Sequence, residues 1–225
     1  MNPFELIDQA TVPTQAGGKI ALYRRGDEYS IRVANCELMS SRMHGSEDVL
    51  AELACQALHR PKCKVLIGGL GMGFTLAKTL QLLGAQAEVM IAELIPAVIQ
   101  WNQSHLAALA GEPLQDKRVR LHQGDVAALI RAQSAVFDAI MLDVDNGPDG
   151  LTCKENEQIY GASGLKAAHQ ALKRGGVLAV WSVAPDATFT ARFKRAGFHV
   201  EVVQTPARGK GKRGTKHTIW VGKKR

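Results

Sequence analysis

The stretch KVLIGGLGMGFTLAKTL, residues 64–80, decides the fold. It opens with an apolar run of strand length, and the apolar spacing after Phe74 is that of a helix. Between the two stand Gly69, Gly71 and Gly73, with Leu70 and Met72 interleaved. Glycine lets the backbone turn sharply and approach a ligand, and a helix N-terminus offers free amides to it. Strand, glycine loop and helix in this order predict the first βα unit of a Rossmann-like sheet that binds a nucleoside over residues 69–73.

Outward from this unit the alternation continues. Further strands are expected at 88–92, 119–123, 137–143, 176–182, 198–204 and 216–222. Helices are expected over 74–83, 96–108, 126–132, 155–172 and 186–196. Such alternation needs crossovers and predicts an α/β fold, a mostly parallel seven-stranded sheet covered on both faces. Only Ala207–Gly214, rich in Gly and Lys, separates the last two strands, so they should form an antiparallel hairpin at the sheet edge. Upstream, Lys19–Arg24 and Glu28–Val33 flank the turn Gly26-Asp27, and Glu37–Met39 follows a second turn. Ser46, Glu47 and Asp48 mark a helix start, followed by an apolar stripe from Val49 to Leu58 that stops before Pro61. The expected organisation is a short β segment and leading helix over 1–60 and a nucleoside-binding domain over 61–225.

Composition narrows the function classes. No run of about 18 uncharged apolar residues exists to span a membrane. MNPFELIDQA lacks the basic start of a secretory signal, so a cytoplasmic protein is expected. Cys36, Cys55, Cys63 and Cys153 show neither CxxC spacing nor paired histidines, and indicate no metal site and no disulfide framework. The net charge of +7 is local: residues 208–225 hold eight Lys or Arg and no acid. The body is near neutral, and the basic 208–216 loop is read as solvated rather than as an RNA grip. A homodimer is compatible with this composition.

Three further elements sit at strand ends. Glu93 ends the second strand, 20 residues beyond Gly73, where a carboxylate is expected to take the ribose hydroxyls. In LHQGDVAALI, Asp125 is placed to accept the adenine amine while Val126 covers the base; the same aspartate also suits a helix N-cap. In FDAIMLDVDNGPDGLT, Asp143 closes the fourth strand at the crevice, with Asp145, Asn146 and Asp149 around a Gly-Pro turn. Crowded acids raise one another's pKa and suit a proton-accepting base or a cation site, although turns favour the same residues. Trp181, His217 and Trp220 read as packing residues of the late strands.

A parallel sheet ending in such a hairpin resembles the class I S-adenosylmethionine-dependent methyltransferases. More narrowly, residues 64–182 resemble the spermidine synthase (polyamine aminopropyltransferase) family. Its members carry a GGGDGGTL loop, VEID-P, a GD element, DSSDPxGP, an aromatic-bearing helix and PGGVL. Here stand GLGMGFTL, AELIP, GDV, DVDNGP, a helix bearing Tyr160, and RGGVLAVWS. The resemblance implies a transferase with an S-adenosyl-type donor, S-adenosylmethionine or its decarboxylated form, and a small-molecule acceptor such as a polyamine. It implies Glu93 on the ribose, Asp125 on the adenine and Asp143 as the base for the reacting amine, with Asp145, Asn146, Tyr160 and His44 bordering the acceptor. Met72 stands where the family has an aspartate, and Asn146 where it has another. The alternatives are a methyltransferase acting on a small molecule or RNA, and a silent nucleoside-binding module. DNGP lacks the aromatic of [DN]PPY, and WSVAPDA lacks the Asp-Asn pair of metal-dependent catechol-type enzymes.

Overall fold

The computed structural model describes residues 3–13, 17–34, 36–56, 58, 60–144, 158–209, 211 and 214–225. Two sheets organise the chain. The first is antiparallel in sequence order: β1 (Glu5–Thr11), β2 (Lys19–Arg25), β3 (Glu28–Val33) and β4 (Cys36–Ser40). Then come α1 (Gly45–Cys55), β5 (Lys64–Gly68), α2 (Phe74–Leu82), β6 (Glu88–Glu93) and α3 (Pro96–Gln103). They are followed by β7 (Val119–Gln123), α4 (Val126–Arg131), β8 (Phe137–Leu142), α5 (Ala162–Ala171) and β9 (Leu172–Ser182). The chain continues with α6 (Ala187–Arg195), β10 (Phe198–Pro206) and β11 (Lys216–Lys224). The second sheet runs β10-β11-β9-β8-β5-β6-β7.

The expected parallel sheet and terminal hairpin are both present. β5, β6, β7, β8 and β9 pair in parallel, and β11 lies antiparallel to both β9 and β10. Every residue of β8 is buried, as a strand covered on both faces requires. Alternation splits the core. Val65, Ile67, Met141, Ala179 and Trp181 pack with α1, α2 and α3 on one face, whereas Leu66, Ile140, Leu142 and Val180 pack with α4, α5 and α6 on the other.

Sequence runs outward from β5 in both directions, to β6 and β7 on one side and to β8 and β9 on the other. The strand order therefore reverses between β5 and β8, where their carboxyl ends leave a crevice open. Ile20 and Ile31 of the small sheet join the core face that α1 covers.

Three expectations need correction. β1 was not expected, because ELIDQAT alternates poorly and is largely exposed; long-range contacts hold it, including the Trp101 indole N–H donating to Asp8 Oδ2 at 2.7 Å. The helix expected over 96–108 stops at Gln103, where the Ser104 hydroxyl turns back onto the Gln100 carbonyl, and a 3₁₀ turn at Ala107–Ala110 follows. Strand β9 begins at Leu172 rather than 176, cutting the preceding helix at Ala171. No described helix is long and apolar enough to cross a membrane.

Candidate active site

The glycine loop is built by close approach. Gly69 has φ +90°, and a Cβ there would collide with the Asp143 carbonyl oxygen. Thus glycine lets the ends of β5 and β8 meet. Gly71 has φ +53°, and a Cβ would lie 2.8 Å from the Met39 thioether of β4. The buried Asn102 amide pins the loop by donating to the Gly71 carbonyl at 2.8 Å.

Glu93 is fixed from two sides. Its Oε2 accepts the Leu70 N–H at 2.9 Å and its Oε1 the Ile95 N–H at 2.8 Å. These two bonds orient the carboxylate at the cavity wall. Asp125 caps α4, accepting from the Ala127 N–H at 2.8 Å and the Ala128 N–H at 3.3 Å. Val126 is buried beside it.

Asp143 follows β8, and its Oδ2 accepts the Thr75 hydroxyl at 2.8 Å from the first turn of α2. Burial pushes its carboxyl up to about 6, against the lowering effect of that bond. Glu47, in the first turn of α1, is only 5% exposed. Burial first, and then the charge of Asp143, raise its carboxyl to about 8. Repulsion falls on whichever carboxyl ionises second, so the two titrate as a pair. Ser46 Oγ donates to Glu47 Oε2 at 2.7 Å, lies 2.8 Å from His217 Nδ1 on β11, and accepts the Trp181 indole N–H at 3.0 Å. Burial lowers the His217 pKa, so the ring is neutral at physiological pH.

Glu47, Glu93, Asp125, Asp143, Trp181 and His217 line one cavity of about 510 Å³, within the range of small-molecule sites. Leu38, Met39 and Ser40 of β4, Ala92 and Glu93 of β6 and Val126 of α4 are among its lining residues. Five carboxyl groups line it, those of Glu37, Glu47, Glu93, Asp125 and Asp143, together with His217 and, among the described residues, no Lys or Arg. Among the described residues, the basic end of the chain contributes His217 to this cavity and no Lys or Arg. Lys224 instead clamps α5 to β9, donating to the carbonyls of His169 and Leu172.

Among the expected site residues, Gly69, Gly71, Glu93, Asp125, Val126 and Asp143 line the cavity. Leu70 and Met72 instead turn their side chains into the core, and Gly73 sits at the N-cap of α2. Met72, fully buried, stands outside the cavity lining. His44 is one residue from the lining Met43 and stacks on Phe74 at 4.0 Å. Tyr160 is buried behind the wall, its hydroxyl donating to the Val144 carbonyl at 3.2 Å. Asp145, Asn146 and Asp149 lie outside the described residues, as do Lys210, Lys212 and Arg213.

Sequence reasoning read Glu47 as part of a helix start and Trp181 and His217 as packing residues; Trp181 is in the core, and all three also line the cavity. Glu47 carried a signal: Leu50, Ala51 and Ala54 follow it at helical spacing, so it falls on the buried face. His217 carried none, because its partner Ser46 is 171 residues away.

The antiparallel strand set into a parallel sheet, with a glycine loop at the switch point, defines a Rossmann-like fold of the class I methyltransferase type. Residues 43–189 match the spermine/spermidine synthase domain, and the chain belongs to that family; it is a transferase. A spermidine synthase in complex with the transition state analogue AdoDATO superposes with TM-score 0.76 at 18% identity, over 98% of this chain and 72% of that one. The spermidine synthase of Thermotoga maritima gives 0.77 at 18% identity over 98% and 73%. A probable spermidine synthase from Corynebacterium glutamicum gives 0.63 at 17% identity over 95% and 79%. At such identities these structures establish the fold. The search of curated proteins finds no match.

Proposed function

We propose that the protein transfers an aminopropyl group from decarboxylated S-adenosylmethionine to an amine of the polyamine class. The observation that carries this reading is the cavity: five carboxyl groups and no described Lys or Arg, in a chain whose net charge is +7. Such a lining favours a dicationic donor and a polycationic acceptor, and disfavours a donor that brings its own carboxylate. Membership of the spermine/spermidine synthase domain family supports the same chemistry.

In this reading Glu93 takes the ribose hydroxyls, and Asp125 with Val126 borders the adenine. The carboxyl groups of Asp143 and Glu47 hold the amine ends. An acid in the glycine loop is not required for that task, since Glu47 and Asp143 lie on the cavity wall and Met72 does not. The acceptor nitrogen attacks the propyl carbon beside the sulfonium, the C–S electron pair returns to sulfur, and a neutral thioether leaves. The new ammonium sheds one proton to the Asp143–Glu47 pair, whose raised pKa values suit a general base near neutrality.

Incubation with decarboxylated donor and putrescine or spermidine should yield methylthioadenosine, read by mass spectrometry. Asp143→Asn should slow the reaction by at least about 100-fold, the low end for a positioned general base. S-adenosylhomocysteine from the carboxylated donor, with no methylthioadenosine, would establish methyl transfer instead.

A further inference from the structure

Ser46 Oγ stands at the centre of a hydrogen-bond problem with few solutions. The Trp181 indole N–H can only donate, and it occupies one lone pair of the hydroxyl. One proton and one lone pair remain for two partners, Glu47 Oε2 at 2.7 Å and His217 Nδ1 at 2.8 Å. If Ser46 donates to an ionised Glu47, His217 must carry its proton on Nδ1 and donate to Ser46. If Glu47 is protonated and donates to Ser46, then Ser46 donates to a bare Nδ1, and the imidazole proton sits on Nε2. In these two arrangements the charge of Glu47 and the tautomer of a neutral His217 change together through one hydroxyl. Glu47 and His217 both line the cavity, and His217 lies beyond the matched span 43–189.

We propose that Glu47, Ser46 and His217 form a proton relay that unloads the carboxyl pair after each transfer. This deepens the aminopropyl-transfer reading and rests on it for the identity of the proton's source. A polycation in the cavity favours the ionised form of both carboxyl groups, so the proton shed by the new ammonium has a vacant site on Glu47, the more basic member of the pair. Glu47 passes it to Ser46 Oγ as the Ser46 proton moves to His217 Nδ1, and His217 releases its Nε2 proton to water at the half-buried ring. One proton enters and one leaves, Glu47 returns to the anion, and a half-turn of the imidazole brings its bare nitrogen back to Ser46 for the next transfer. The groups facing Glu47 are Asp143 from the end of β8 and Asp48 from its own helix, both acids that raise its pKa, and the Ser46 hydroxyl, which lowers it. Trp181 of β9 packs against the His217 ring at a centroid distance of 4.6 Å. In this scheme Glu47 is catalytic, and Ser46 and His217 act through it.

The test needs no substrate. In protein carrying ¹⁵N-labelled imidazole, the His217 resonances should report Nε2–H below pH 7 and Nδ1–H above pH 9, and Ser46→Ala should abolish the switch. A tautomer that stays constant across that range in the unmodified protein, or a switch that survives Ser46→Ala, overturns the relay. In turnover, Ser46→Ala and His217→Asn should each lower kcat at least about tenfold and displace the pH–rate profile. Their affinity for methylthioadenosine should stay unchanged, and Ser46→Thr should recover most of the rate. Full kcat with an unmoved profile in both variants also counts against the relay. A tautomer switch in a protein that forms no methylthioadenosine counts against the aminopropyl reading alone and supports the coupling.

Discussion

Glu93 tests the nucleoside reading in isolation, because two backbone amides already fix its position. Glu93→Gln should weaken nucleoside binding by about 1.5–3 kcal/mol, the scale of a hydrogen bond to a charged group, with folding largely kept. Calorimetric titration showing unchanged affinity would remove the ribose role. Glu47 and Asp143 make a pH prediction with a definite sign. Both carboxyl groups are raised on folding, from 4.5 to about 8 and from 3.8 to about 6. The folded state therefore binds more protons than the unfolded state between about pH 4 and 8, and stability falls as pH rises through that window. Glu47→Gln should flatten this slope, giving a higher Tm than the parent at pH 8.5 and little change at pH 4.5. Thermal melts across pH check it; parallel curves for the two proteins would mean that Glu47 is not held protonated. A polycation in the cavity reverses the effect, so its binding should release protons to buffer.

At the scale of the element, the glycine loop is fixed by sterics and makes a paired prediction. Gly69→Ala meets both φ +90° and the Asp143 carbonyl, so chemical denaturation should show a loss of at least about 1–3 kcal/mol. Gly84→Ala, which has nothing within 4 Å of its new methyl, should be neutral or gain about 0.4–1 kcal/mol. Equal effects at the two sites would dismiss the close approach of β5 and β8. This loop, Glu93, Asp125 and Asp143 were legible in the sequence because each lies at a strand end next to its own motif. Strand β1 was not, since Asp8 finds Trp101 only after folding. Nor was the role of His217: within the last strand it alternates with Trp220 like a packing residue, and only the insertion of β11 beside β9 carries it to Ser46. Motifs that act within a few residues can be read; a hydrogen bond between α1 and β11 depends on sheet order.

For the molecule as a whole, the sign of the charge depends on place: the formal total is +7, yet the cavity is lined by acids. Binding of spermidine should thus weaken several-fold between about 50 and 500 mM salt, where the screening length shortens from above 10 Å to below it. Affinity indifferent to salt in calorimetry would mean that the acids contribute little to recognition. The antiparallel insertion of β11 between β9 and β10 has a consequence of another kind. A chain is synthesised from its N-terminus at about 5–20 residues per second, so β5 to β9 can assemble while β11 is still unmade. Until then β10 has no neighbour and the edge of β9 stays open, a template for unwanted pairing. The glycine loop and Glu93 can thus be complete in a nascent chain that still lacks His217. The order of synthesis therefore completes the glycine loop before the chain carries every group of the cavity, and the last described strand closes the sheet and the cavity together.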